Sequence, residues 1–374
     1  MANDVIKLLA DLVKIPSVCG EELKVAKFIE GWLRENGLPA EMLQVKPDRP
    51  DVITRLKGSE AGPRILLNGH MDTVAPGSGW TRNPYGAEVE GNRMYGRGTL
   101  DMKSGLACIL SAAAACKEKG LPRRGELLVA AVVDEEAYDW GTYALIQQNV
   151  TKELDFAMIS EATDLEVVTA HRGRAVFEVD VRGRAAHSSW PDHGVNAIEK
   201  AAILLNALPR IGGPVHRRLG GSTVNTLSIE GGQEEVMLVP DHCRVVIDRC
   251  LVPGYSSKAA LFDLQELVKE IGIDAEARLI KRETPFCDPF EIPDDDQNVQ
   301  HVVRAAGRVL GAKPKIQFHD GPCDSCILVN QGKIPTIEFG PSGGRLHESD
   351  EFVDLESVRK TTEVYEEIIR ALMS

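Results

Sequence analysis

The chain has 374 residues, of which 43% are hydrophobic and 26% charged, the composition of a folded globular protein rather than a disordered one. Its 56 acidic residues outnumber 43 basic ones, and the resulting formal charge of −13 repels nucleic-acid phosphates and anionic membranes. The longest uncharged stretch, between Lys103 and Lys117, holds 13 residues, short of the ~20 needed to span a bilayer. At ~150 residues per domain the length suits two or three domains.

Met1-Ala2-Asn3-Asp4 has no basic region, and the apolar stretch after it is broken by Asp11 and Lys14, so no cleaved signal peptide is expected. Eight cysteines are too few for a disulfide scaffold in a chain this long, and Cys108, Cys116, Cys243 and Cys250 sit in apolar runs where a reduced thiol packs as a small hydrophobe. Cys323 and Cys326 have the C-x-x-C spacing of a redox pair or half a zinc site, but no second such pair completes a structural zinc site. The expected address is the cytoplasm.

Helical spacing of apolar residues predicts a helix over Val5–Val13, stopped at Pro16, and a second over Glu21–Asn36, closed by Gly37. Three short apolar runs follow: Ile65-Leu66-Leu67, Leu127–Val133 and Phe156–Ile159. Unbroken runs of this length suit strands covered on both faces, as in a mainly parallel sheet. Gly105–Ala115, between the first two, reads as a helix apolar nearly all round and therefore buried. Near Ala170 the texture changes. Val176–Val181 alternates as a half-buried antiparallel strand does, Asn196–Leu208 and Ser257–Ile271 read as helices, and Thr223–Glu230 and Arg244–Leu251 as strands. This β-α-β-β-α-β order predicts an inserted α+β, ferredoxin-like domain over 172–284 within an α/β domain formed by 1–171 and 285–374. A helix over Val299–Leu310 and a strand over Thr336–Phe339 return to the α/β texture.

The residues after each core run carry the chemistry. The first run leads into Asn68-Gly69-His70-Met71-Asp72, the second into Asp134-Glu135-Glu136 and the third into Ser160-Glu161. In open α/β sheets ligands bind beyond these carboxyl ends. Taken singly, His70 is an ordinary structural histidine, Asp101 a helix cap and Glu135-Glu136 a solvated acidic pair. Together, His70, Asp101, Glu136, Glu161 and His347 form a nitrogen–oxygen donor set suited to zinc, cobalt or manganese. Five donors exceed what one catalytic ion needs and fit two ions sharing a carboxylate. Asp72 is expected to fix the tautomer of His70, and Glu135, left over from the donor count, to take a proton from water.

These stretches resemble the zinc-dependent M20 metallopeptidase and deacylase family, which includes desuccinylases, deacetylases, aminoacylases and glutamate carboxypeptidases. The matching segments are Gly69–Val74, Tyr95–Gly105, Asp134–Glu136, Ser160–Thr163, Ala186–Ser189 and His347–Glu351, in family order along nearly the whole chain. The resemblance implies a zinc-peptidase-like catalytic domain holding two zinc ions, with cobalt or manganese as substitutes. Asp101 would bridge them, His70 and Glu161 would complete one site, and Glu136 and His347 the other. It makes Glu135 the general base, with Asp72 among the catalytic residues. It further implies a homodimer formed through the inserted domain, with His187 reaching the partner's active site.

The match weakens at substrate recognition. Family members carry Asp-x-Arg near the end of the insert, whereas this chain has Asp248-Arg249-Cys250, and Met237 replaces a common Asn. Adjacent strand residues face opposite ways, so Arg249 is not a simple replacement. Substrate-binding candidates are therefore Arg345, the backbone of Gly343 and Gly344, and Asn225. Asp324 is expected to stabilise a loop through an Asx turn. The resemblance favours a deacylase of small N-acyl amino acids over a dipeptidase or carboxypeptidase. A catalytically silent relative would have lost Glu135 or a ligand, and none is missing.

Overall fold

The computed structural model describes Asp4–Glu234 and Val236–Ser374; Met1, Ala2 and Asn3, part of the segment expected to lack a signal sequence, lie outside the described residues, as does Glu235. Two compact units are formed. One comprises the chain up to Thr169 with Ile292–Gln317 and Cys323–Ser374, the other Ala170–Glu291 with Phe318–Pro322.

The first unit is built on a sheet ordered Glu41–Lys46, Arg49–Lys57, Arg124–Val132, Glu60–His70, Phe156–Ile159, Thr336–Glu338. The last four pair in parallel, while the first two form an antiparallel hairpin that also meets Arg124–Val132 antiparallel. Beyond Thr336–Glu338 the strand Val167–His171 pairs antiparallel, so the sheet is parallel at its centre and antiparallel at both flanks. Its central strands are the unbroken apolar runs, and Leu127–Val132 and Phe156–Ile159 are buried throughout because helices cover both faces. The helix Lys103–Glu118 is buried on nearly every side, as its uniform apolarity requires. The helix Val5–Val13 starts on Asp4, whose carboxylate accepts from the Ile6 and Lys7 N–H groups, and buries Leu8, Leu9 and Leu12. The C-terminal helix Leu355–Met373, capped by Asp354, packs against Lys103–Glu118.

The second unit has four antiparallel strands in the order Thr223–Gly231, His242–Leu251, Gly173–Arg182, Ala275–Leu279, with helices Ala197–Ala207 and Ser257–Glu270. In chain order this is the β-α-β-β-α-β ferredoxin-like arrangement. Alternation works as expected: Ala175, Phe177, Val179 and Val181 are buried and pack with Val245, Ile247, Leu204 and Leu264. Thr223–Gly231 is an edge strand bearing the exposed side chains Leu227 and Ile229. No helix among the described residues is long and apolar enough to cross a membrane.

Candidate metal centre

The three central strands deliver their polar residues at one edge of the sheet. His70 ends Glu60–His70, Asp134–Glu136 follows Arg124–Val132 after one residue, and Ser160-Glu161 follows Phe156–Ile159. Asp101 stands two residues before the Lys103–Glu118 helix. Gly105 in that helix lies so close to the Ser160 carbonyl that a Cβ there would overlap it, so the glycine lets Asp101 and Glu161 share one site. His347 sits on a loop in the left-handed region at φ 62°.

The side chains converge. His70 Nε2 lies 3.0 Å from Asp101 Oδ1 and 3.4 Å from Glu161 Oε1, while His347 Nε2 lies 2.9 Å from Asp101 Oδ2 and 3.2 Å from Glu136 Oε2. Asp101 therefore stands between two histidines, one carboxylate oxygen toward each. His70, Asp101 and Glu136 each place a donor atom within 4.8 Å of the others. Glu135 approaches the cluster edge, 3.9 Å from His70 Nε2.

Asp72 differs in detail from expectation. Its main-chain oxygen, 2.9 Å away, partners His70 Nδ1, whereas its carboxylate oxygen is 3.6 Å from that atom. The carboxylate instead accepts from the Glu135 and Glu136 N–H groups at 3.3 and 3.1 Å, holding the turn that presents both glutamates.

Burial strains this set electrostatically. Burial pushes Glu135 well above the usual carboxylate range, raises Glu161 to about 7 with help from Asp101, and raises Asp72 to about 6. Burial disfavours the His70 imidazolium, but its hydrogen bonds to Asp101 and Glu161 hold its pKa well above 6.5; hydrogen bonds donated to Asp101 and Glu136 carry His347 to about 10. Burial opposes ionisation of Asp101, yet the two histidines hold it below the usual range. Four carboxylates converging on two imidazoles demand positive charge at their centre. Divalent ions supply it with the histidines neutral, and the donor set fits them.

The remaining candidates make none of these contacts. Gly343 and Gly344 belong to a small sheet, paired with Val353 and Phe352, and the Phe352 ring and carbonyl leave no room for a Cβ, so close packing explains both glycines. Arg345, exposed, lies with Nη1 3.5 Å from Asp350. His187 and Asn225 are both exposed residues of the second unit; His187 Nδ1 accepts from the Ser189 N–H, and its ring lies against Trp190. Arg249 is buried with its guanidinium on Thr223, Gly212, Ser222 and Tyr255, on the strand face opposite Cys250. Asp324 makes no loop-stabilising turn: it begins the helix Asp324–Asn330, buried, and accepts from Asn68 Nδ2 at 3.2 Å. Cys323 and Cys326 are both buried without a disulfide, and burial holds the Cys323 thiol well above its ordinary pKa, which removes the basis for a redox pair. Sequence reasoning assigned no role to the buried Arg97 and Glu351, which bond to each other; a separation of 254 residues leaves no local signal of the contact.

Residues 66–371 match the sequence model of peptidase family M20/M25/M40. A protein from Staphylococcus epidermidis named probable succinyl-diaminopimelate desuccinylase is 25% identical, over 99% of this chain and 98% of its own length. Among solved structures, aminopeptidase PepT from Bacillus cereus superposes with a TM-score of 0.81 at 23% identity, covering 100% of this chain and 99% of that one. A dinuclear metal-binding M20 peptidase from Bacillus subtilis superposes with a TM-score of 0.77 at 18% identity, covering 99% and 97%. At these identities the superpositions speak for the fold.

Proposed function

The chain belongs to peptidase family M20/M25/M40, a family of metal-dependent hydrolases of carbon–nitrogen bonds, and we propose that its own substrate is a small N-acyl amino acid. The observation that carries the hydrolase reading is the Asp101 carboxylate set between His70 and His347, with Glu136 and Glu161 at the outer sides and Glu135 beside them. On this reading His70, Asp101, Glu136, Glu161 and His347 hold two zinc ions, for which cobalt or manganese can substitute. Bound ions supply polarisation of the scissile carbonyl and a lowered pKa for water.

The chain's own groups do the rest. Glu135, whose pKa burial raises above the usual carboxylate range, acts in its carboxylate form: it takes a proton from the attacking water and passes it to the departing amine. The Asp72 carboxylate fixes the Glu135–Glu136 turn so that one glutamate binds and the other moves the proton. By family resemblance, His187 of one subunit donates to the developing oxyanion in the other's site. The exposed Leu227 and Ile229 on the edge strand of the second unit support such a dimer, because an unpaired strand edge with apolar side chains invites pairing. Arg345, two residues from His347, is the cation offered to a substrate carboxylate, with Asn225 as a further contact. Thiols outside any disulfide, among them Cys19, Cys108, Cys116, Cys243, Cys250 and Cys323, support a reducing, cytoplasmic setting.

Similarity to a protein named probable succinyl-diaminopimelate desuccinylase supports an acylated amino acid as the substrate of this chain. A panel of N-acetyl and N-succinyl amino acids run beside dipeptides and tripeptides decides: faster turnover of the acylated compounds supports the proposal, and turnover of peptides alone overturns it.

A further inference from the structure

Two residues inside the matching segments have no part in the chemistry above. Arg97 and Glu351 are almost wholly buried, at 1% and 0% exposure, and pair through Arg97 Nη1 and Glu351 Oε2. A buried ion pair is an inefficient stabiliser, since two desolvated charges often do no better than apolar side chains of the same volume. What these charges touch gives a better account of them.

Glu351 lies four residues beyond His347, yet its carboxylate serves the other ligand's segment: Oε1 accepts from the Leu100 and Asp101 N–H groups at 2.7 and 3.1 Å, and Oε2 from Gly98 at 3.1 Å. Arg97 lies four residues before Asp101, and its guanidinium serves the His347 segment, Nη2 donating to the His347 and Glu348 carbonyls at 3.1 and 3.2 Å. Each charge therefore grips the main chain of the opposite ligand, and the two segments are laced together. The lacing continues in the main chain, where the Gly96 N–H donates to the Glu351 carbonyl at 2.9 Å. Its product is the 2.9 Å approach of His347 Nε2 to Asp101 Oδ2, made by a histidine that is half-exposed and held in left-handed backbone.

We propose that Arg97 and Glu351 are a positioning pair that sets the Asp101–His347 separation and with it the affinity for the ion those two residues share; this rests on the metal-hydrolase reading above. A planar fork is needed, because only a guanidinium can meet a carboxylate with one nitrogen and two carbonyls with the other. An ammonium is a single point charge.

The test is zinc binding to the full-length protein, titrated against a chromophoric chelator, with thermal unfolding of the metal-free form as the control for folding. Parent protein binds two ions. Arg97→Lys is expected to weaken one of them roughly 10- to 100-fold, the range for groups that orient metal ligands, while leaving the other in place. Glu351→Gln, which keeps an acceptor toward Asp101 but loses the charge pair, is expected to weaken binding in the same manner and decides the matter if Arg97→Lys does not fold. Unchanged affinity for both ions in a folded variant overturns the proposal, as does an equal weakening of both that tracks lost thermal stability, since a purely structural role predicts that pattern. Failure of the parent protein itself to bind zinc overturns the hydrolase reading and this inference with it, whereas two ions bound with the same affinities in parent and variant overturn the inference alone.

Discussion

Glu135 and Glu136 are chain neighbours on a turn held by one carboxylate, that of Asp72, yet only Glu136 reaches His347. Opposite orientation of adjacent side chains suits the pair to the two roles proposed for it. Titration at this scale has a definite sign. Glu135, Glu161 and Asp72 all have folded pKa values raised above the unfolded ones, the latter two to about 7 and 6. Stability from such groups is fully present below their unfolded values near 4 and is lost as pH rises through the folded ones. His347, raised to about 10, acts in the same sense, its contribution full below about 6.5 and declining above. Metal-free protein should therefore melt at progressively lower temperature between about pH 5 and 8. Zinc should raise the melting temperature more at the upper end, because ions displace these protons. Calorimetry with and without zinc checks this, and a zinc-induced shift that shrinks with rising pH would count against the assignment.

Elements with strong periodicity were legible in the chain itself. The apolar runs Ile65–Leu67, Leu127–Val133 and Phe156–Ile159 announce central strands because two-sided burial leaves no alternation, and Val176–Val181 announces a one-sided strand because it alternates. The hairpin Glu41–Lys57 gave no such signal, since Glu41–Lys46 buries no residue, and the small sheet of Glu88–Glu90, Arg93–Tyr95, Gly343–Gly344 and Phe352–Asp354 is assembled from strands of two or three residues whose pairing is set by tertiary contact. The candidate metal-centre residues were legible because His70, Glu136 and Glu161 stand at or just after the ends of core strands, but the Arg97–Glu351 lacing and the Asn68–Asp324 bond depend on distant segments meeting. Gly105 marks where an element's packing sets the site. Replacing it with Ala forces the Lys103–Glu118 helix away from Ser160, so Gly105→Ala should cost about 1–3 kcal/mol of stability, as overpacking does, and weaken metal binding. Denaturant unfolding and a zinc titration measure the two; a variant normal in both would mean that the close approach is not required.

For the whole molecule, the ferredoxin-like unit contributes none of the metal-centre residues, all of which belong to the first unit. Its edge strand exposes Leu227 and Ile229, and the task proposed for it is pairing with a second copy. Leu227→Asp combined with Ile229→Asp places two charges on that edge and should convert a dimer to a monomer in sedimentation equilibrium, with turnover falling as the partner's His187 is lost. Parent protein that sediments as a monomer and is fully active would contradict the shared-site reading.

The central claim is that five residues hold two ions and a sixth, Glu135, moves the proton. Metal content per chain, measured together with N-acyl amino acid hydrolysis on parent protein and on Glu135→Gln, tests it most directly. The account predicts two ions in both proteins and turnover lower in the variant by roughly 10²- to 10⁴-fold, the contribution of a positioned acid–base group. Absence of bound metal after zinc reconstitution, or a variant that turns over as fast as its parent, would contradict it.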